Sequence, residues 1–220
     1  MPRTRVKFCG IMRPEDAAAA ARAGADAIGM ILHANAKRLI PLSTAMRVVA
    51  ALPPFVSRIG VFVNAEPAVV DELANALTLN AVQLHGDETP DYARRLGHYD
   101  FIKAIKLTDD AEATLDAWRK PYSVGDLQAF SGILIDSPAG GGTGEKNDFS
   151  RVRRLIDSGA FAGLPPLIVA GGLKPENVGE VVTELQPFAV DTSSGIEAEF
   201  GKKSPELMRA FYDAVAKANR

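Results

Sequence analysis

Val6-Lys7-Phe8-Cys9-Gly10 is the stretch whose reading decides the fold. It is a short, mainly apolar run closed by a glycine, and Pro14-Glu15-Asp16-Ala17 follows almost at once. An apolar run of this length predicts a strand covered on both faces, as in a parallel sheet. Proline and two acids in one turn suit the start of a helix. The only cysteine of the chain therefore falls where the first strand runs out. Alone, a cysteine on an apolar strand is a small core residue. Its meaning depends on what the other strand ends carry.

The same unit recurs to the end of the chain. Further strands are predicted over residues 25–32, 58–63, 81–84, 101–105, 132–135, 166–169 and 188–190. Helices are predicted over 14–24, from a Ser43 cap to residue 52, over 67–77, and from Thr89-Pro90. Others follow over 109–118, from an Asp148 or Ser150 cap to 158, over 175–185, and from a Ser204 cap to 218. Residues 120–131 show no pattern that assigns them. Eight strand–helix units over 220 residues give about 27 residues each, which suits a compact (β/α)8 TIM barrel. Residues 1–220 are expected to form a single catalytic domain of this α/β class. An open doubly wound sheet would carry its glycine-rich turn after the first strand. Here the glycine-rich exits follow strands six, seven and eight.

Composition narrows the partners. With 25 Lys and Arg against 27 Asp and Glu, the net charge is −2, which offers no basic footprint for nucleic acid or an anionic membrane. A lone cysteine excludes an intrachain disulfide framework and fits a reducing compartment. No cysteine and histidine spacing suits a metal, and no cofactor is expected. No apolar stretch nears the ~18 residues of a membrane span. The start, Met1-Pro2-Arg3-Thr4-Arg5, does not read as a signal peptide. A cytoplasmic protein, monomeric or homodimeric, is the expectation.

Chemistry in such a barrel sits at the C-terminal ends of the strands. The exits Ala170-Gly171-Gly172-Leu173 and Ser193-Ser194-Gly195 are small and rich in backbone donors. Barrels of this type often hold a phosphate between these two loops, aided by a short extra helix after strand eight. Tight turns need glycine anyway, so it is the pairing of two adjacent exits that points to an anion. Asp136 ends strand six, where it either caps a turn or, across the mouth from Cys9, serves as a general acid or base. The loop beyond it, 137–147, lacks the lysine of a nucleotide-binding P-loop and reads as a lid. Lys37 and Arg38 lie in the exit of strand two; an arginine facing the mouth suits bidentate capture of a carboxylate. His85 follows strand four, as a structural or a functional histidine.

Together these residues resemble the phosphoribosylanthranilate isomerase family of tryptophan biosynthesis. The matching stretches are Lys7-Phe8-Cys9-Gly10-Ile11, Gly60-Val61-Phe62-Val63, and Val82-Gln83-Leu84-His85-Gly86. They continue with Ile135-Asp136-Ser137 and Gly142-Thr143-Gly144, then Ala170-Gly171-Gly172-Leu173 through Asn177-Val178, and finally Val190–Glu197. The resemblance implies a cofactor-free Amadori rearrangement of N-(5'-phosphoribosyl)anthranilate to the 1-deoxyribulose phosphate ketose. It implies Asp136 as the acid that protonates the ring oxygen and Cys9 as the base that takes the C2 proton. Arg38 would hold the anthranilate carboxylate. The phosphate would sit at Gly171, Gly172, Ser193, Ser194 and Gly195, with Asp191 and His85 as supporting contacts.

The chain departs from the family pattern in three places. Ala36-Lys37-Arg38 replaces a usual Ser-Pro-Arg, Thr192 stands where an aliphatic residue is common, and Gly201-Lys202-Lys203-Ser204 replaces Gly-x-Lys-Asp. Two other readings stay open from the sequence. Indoleglycerol phosphate synthase is a sister barrel, though it uses catalytic lysines and glutamates and an N-terminal extension. A non-catalytic barrel binding a phosphate ligand would have no need of Cys9 or Asp136.

Overall fold

The computed structural model describes residues 3–96, 98–136 and 148–219; the 137–147 segment read as a lid lies outside the described residues. Eight parallel strands close into a barrel in sequence order: β1 (Arg5–Phe8), β2 (Ala27–His33), β3 (Ser57–Phe62), β4 (Ala81–Leu84), β5 (Phe101–Lys106), β6 (Phe130–Asp136), β7 (Leu167–Val169) and β8 (Ala189–Thr192). Helices α1 (Pro14–Ala23), α2 (Leu42–Ala50), α3 (Pro67–Leu77), α4 (Pro90–Arg94), α5 (Ala111–Ser123), α6 (Phe149–Asp157) and α7 (Val178–Leu185) connect them, and α8 (Pro205–Ala218) follows the last strand. Between β8 and α8 lie a 3-10 turn (Ser194–Ile196) and a small antiparallel hairpin of β9 (Glu197–Glu199) and β10 (Lys202–Lys203). Among the described residues no helix is long and apolar enough to cross a membrane.

Alternation along the strands divides the apolar residues into two cores. Ala27, Ile59, Ile102, Ala104, Leu134, Ile168, Ala170 and Ala189 form one buried cluster inside the ring. The larger cluster lies between the ring and the helices, where Phe8 meets Phe211 of α8 edge-on at 5.8 Å. Alanines at 17, 19, 20 and 23 let α1 lie close against the sheet. Glycine at position 24 ends that helix with φ 103°, and its open face is covered by the Tyr212 ring.

Several boundaries differ from the sequence reading. Helix α2 begins at Leu42 after Pro41, so Ser43 lies inside its first turn and is not the cap. Helix α7 starts only at Val178, because Asn177 is used to hold the loop before it. Of the two candidate caps of α6, Asp148 accepts from the Arg151 N–H. The unassigned segment 120–131 supplies the end of α5 and the start of β6. Trp118 and Tyr122 of α5 pack on Phe130, which stacks on Phe101 with centroids 5.0 Å apart. This aromatic anchor outweighs Pro121, which sits in the last turns of the helix.

Phe101 is fully buried in that cluster. Phe101→Ala is expected to cost about 3–5 kcal/mol, seen as a lower urea midpoint with unchanged slope. A midpoint within error of wild type would show that the aromatic cluster is not a main support of the β5–β6 wall.

Candidate active site

Parallel closure puts the C-terminal ends of all eight strands on one rim. Cys9 follows β1 directly, its N–H donating to the Thr192 carbonyl at 2.8 Å. Lys7, two residues earlier and on the same side of the strand, is register-paired with Asp191 of β8. Its Nζ donates to Asp191 Oδ1 at 3.0 Å, and both residues are buried. Asp191 is therefore inside a strand that runs to Thr192, rather than in the exit where the sequence reading put it. Burial pushes the Cys9 thiol above its ordinary range; Lys7 pulls against this, Asp191 adds to it, and Lys203 opposes it again.

Asp136 is the last residue of β6, three strands around the ring from Cys9 rather than diametrically opposite. It is 3 % exposed, with His85 Nε2 at 3.2 Å from its Oδ2. The other ring nitrogen, Nδ1, lies 2.7 Å from Gln83 Nε2, a side chain wholly buried on β4. In this orientation Gln83 donates to the ring, Nε2 carries the ring proton, and Gln83 Oε1 has no partner. With the amide turned over, Oε1 would accept an Nδ1 proton, the arrangement that a protonated imidazole needs. His85 thus serves Asp136 rather than standing alone at the rim.

Arg38 is buried while Lys37 is exposed. Its Nε and Nη2 donate to the two oxygens of Glu197 at 2.8 and 2.7 Å, and Phe200 of the hairpin covers the guanidinium at 4.6 Å. Lys203 joins the same carboxylate at 3.0 Å and also donates to the Ser193 carbonyl at 2.8 Å. Burial works against the Glu197 charge, yet Arg38 and Lys203 outweigh it and hold its carboxyl below the usual range. Burial lowers Lys203, with Glu197 working the other way.

The two glycine-rich exits lie side by side. Gly171 and Gly172 adopt φ of 88° and 68°, backbone that a side chain would strain. Asn177 ties this turn by donating to the Gly172 carbonyl at 3.1 Å and accepting from the Lys174 N–H at 2.8 Å. Thr192 Oγ1 donates to the Leu173 carbonyl at 2.8 Å, joining the β7 exit to the β8 exit. A Cβ at Gly195 would come within 1.9 Å of that same carbonyl oxygen, so only glycine lets the exits approach. Ser193, Ser194 and Gly195 are partly exposed beside them, Ser194 opening the 3-10 turn. No group of three or more His, Cys, Asp or Glu among the described residues could hold a metal ion.

Sequence reasoning missed Lys7, Gln83, Glu197 and Lys203 as parts of the site. Each stands in a quoted or compared motif, and Lys7 carried a further signal, being a charge inside an otherwise apolar strand. Burial and pairing, which give these residues their roles, are not written in residue type.

Fold and site together define a (β/α)8-barrel enzyme, with a carboxyl group, a thiol and paired glycine-rich loops on one rim. Residues 6–214 match the family model described as N-(5'phosphoribosyl)anthranilate (PRA) isomerase. The chain belongs to this family. It is 42% identical over 220 residues to the N-(5'-phosphoribosyl)anthranilate isomerase of Pseudomonas fluorescens (strain Pf0-1), covering 98% of this chain and 100% of the relative. It is 41% identical to that of Acidithiobacillus ferrooxidans, covering 98% of each. Among solved structures, the phosphoribosyl anthranilate isomerase of Thermotoga maritima superposes with TM-score 0.84 at 38% identity, covering 97% of this chain and 99% of that one. A second, at TM-score 0.81 and 36% identity with the same coverage, is in complex with reduced 1-(o-carboxyphenylamino)-1-deoxyribulose 5-phosphate.

Because Glu197 titrates lower when folded, its contribution to stability is fully present above the unfolded carboxyl value of about 4.3. It is lost as pH falls through the lower folded value. Wild type should therefore be more stable than Glu197→Gln at neutral pH, with the gap closing on acidification in that window. A gap independent of pH would show that the carboxylate charge is not what holds Arg38.

Proposed function

We propose that this chain isomerises N-(5'-phosphoribosyl)anthranilate in tryptophan biosynthesis, as an intramolecular oxidoreductase with Asp136 as general acid and Cys9 as general base. Placement of a thiol and a buried carboxyl group at strand ends of one rim, three strands apart, is the observation that carries this division of labour. Asp136 protonates the furanose ring oxygen; the C1–O bond breaks, and the nitrogen lone pair forms a C1=N Schiff base. Cys9 then takes the C2 proton: the C–H pair moves into the C1–C2 bond, the C=N pair returns to nitrogen, and an enolamine results. Proton transfer from the C2 hydroxyl and protonation at C1 give the ketose. Each group contributes by proton transfer in place, which needs it within hydrogen-bond reach of the substrate. His85, tied to Asp136 and 18 % exposed at its side chain, gives that acid a route for reprotonation.

The solved relative that holds the reduced product analogue supports the same ligand class here. On this reading the phosphate lies at Gly171, Gly172, Ser193, Ser194 and Gly195, beneath the 3-10 turn that follows β8. The anthranilate carboxylate meets an Arg38 whose guanidinium is already oriented by Glu197 and covered on one face by Phe200. Asp191 acts through Lys7 rather than on the substrate. The reading takes residues 1–220 as one catalytic domain, in the cytoplasm, with no nucleic-acid partner. A dimeric relative from Thermotoga maritima has also been solved as monomers. Both states suit this chain, because its barrel closes without a partner strand.

Loss of fluorescence from phosphoribosylanthranilate made in situ measures the reaction. Cys9→Ala and Asp136→Asn should each lower kcat by about 10²–10⁴-fold, with melting temperatures near wild type. Near-normal kcat in Cys9→Ala would return the cysteine to a packing role. Arg38→Ala should raise KM by roughly ten- to a hundred-fold, the loss of one charge-assisted contact worth about 1.5–3 kcal/mol. Lys37→Ala is the control and should do little. If Lys37→Ala raises KM and Arg38→Ala does not, the carboxylate is held by the lysine.

A further inference from the structure

Lys7 is among the most secluded charges of the rim, at 3 % exposure, and the mechanism above does not use it. We propose that Lys7 is the positioning residue that holds the Cys9 sulfur ready as an anionic proton acceptor, with Asp191 keeping the lysine charged and in place. The inference rests on Cys9 being the base and adds what makes that thiol usable.

The geometry begins with strand periodicity. Lys7 and Cys9 are two residues apart and point to the same side, toward β2 on one flank and β8 on the other. Gly29 of β2 leaves the space between them: a Cβ there would stand 2.7 Å from Cys9 Sγ and 3.1 Å from Lys7 Nζ, so both atoms crowd one point. The ammonium thus has a carboxylate partner at 3.0 Å and the sulfur as a second neighbour that acts on its charge. Burial works against the charge on Lys7, but Asp191 and Cys9 together outweigh it, and the ammonium is held more firmly than in water.

The other charged groups facing the sulfur are few. Lys203 of β10 approaches from the hairpin, and Asp191 from β8. The Arg38 side chain passes beside Gly10, with its guanidinium committed to Glu197. Lys203 is committed to Glu197 and Ser193. Lys7 remains the cation whose commitment includes the sulfur. A purely structural reading is weak, because a buried ion pair seldom stabilises more than apolar residues of the same volume. Here the pair stands beside an inner cluster of alanine, isoleucine and leucine.

In the reaction the C2–H bond breaks and an S–H bond forms, while Lys7 keeps its proton throughout. A cation within about 4–6 Å favours the anionic form of a neighbour by 1–3 pH units. Without it, the thiol that burial already pushes above its ordinary range would hold its proton more tightly still.

Cys9 is the only cysteine, so the ultraviolet absorbance of thiolate reports this residue alone once a Cys9→Ser protein supplies the tyrosine background. In Lys7→Met the thiol titration should rise by at least about one pH unit, or tenfold less thiolate at a given pH. The acid limb of kcat/KM should move with it, KM should change little, and Lys7→Arg should restore most of the shift. If Lys7→Met fails to fold because Asp191 is left unpaired, the double variant Lys7→Met with Asp191→Leu removes both charges. Its thiol should still titrate above wild type, since Lys7 influences the sulfur more than Asp191 does. A titration that overlays wild type, while Cys9→Ala is inactive, overturns the role of Lys7 and leaves Cys9 as base. Conversely, an active Cys9→Ala protein removes the catalytic reading, and the thiol titration still decides whether Lys7 grips the sulfur.

Discussion

Pairing of β1 with β8 is the contact on which the molecule depends. The other seven pairings alone would leave eight strands in an open sheet; the register Arg5 to Ala189 through Phe8 to Thr192 turns them into a ring. That seam does three things at once. It removes both free edges, it sets Lys7 level with Asp191, and it brings the Cys9 N–H onto the Thr192 carbonyl. The thiol, its cation and the β8 exit are therefore one construction.

Buried lysines recur at this rim, each answered by one carboxylate. Lys7 has Asp191, Lys203 has Glu197, and Lys103 has Glu88 at 2.8 Å. Glu88 also accepts from the Asn64 and Gly86 N–H groups at 2.8 and 2.9 Å, so the third pair clamps the exits of β3 and β4 beneath His85. The cost of desolvating such charges is high, and only further hydrogen bonds to the same atoms offset it. That requirement explains why Glu197 binds two cations and why Lys203 reaches the Ser193 carbonyl.

The barrel was legible because most strands are apolar runs soon followed by a glycine, proline or acid, and β4 and α3 emerge with the expected bounds. The end of β8 was not, because Asp191-Thr192 looks like the start of a loop. In the structure Asp191 is neutralised by a lysine 184 positions away, a pairing with no local signal. The β9–β10 hairpin is two short, charged strands, too brief for periodicity to mark. Residues 120–131 were obscured by Pro121, whose helix-breaking tendency is overridden by aromatic contacts across to β6. Cys9, Asp136 and Arg38 were visible as rim residues, but the groups that set their chemistry were not. Gln83 reads as an ordinary strand residue until burial is known, and Lys7 stands out only as a charge in an apolar strand.

The two separate cores described for the barrel bear on how such an enzyme can diverge. Most of the apolar packing lies between the ring and the helices, in the large cluster that contains Phe8, Phe101, Trp118 and Phe211. The small inner cluster fills the ring below the rim and contributes little bulk. Substitutions at the rim therefore draw on a reserve of stability that they do not themselves provide. A lineage can exchange a thiol for a carboxylate at one strand end, or lengthen one loop, and keep the scaffold intact while it samples new substrates.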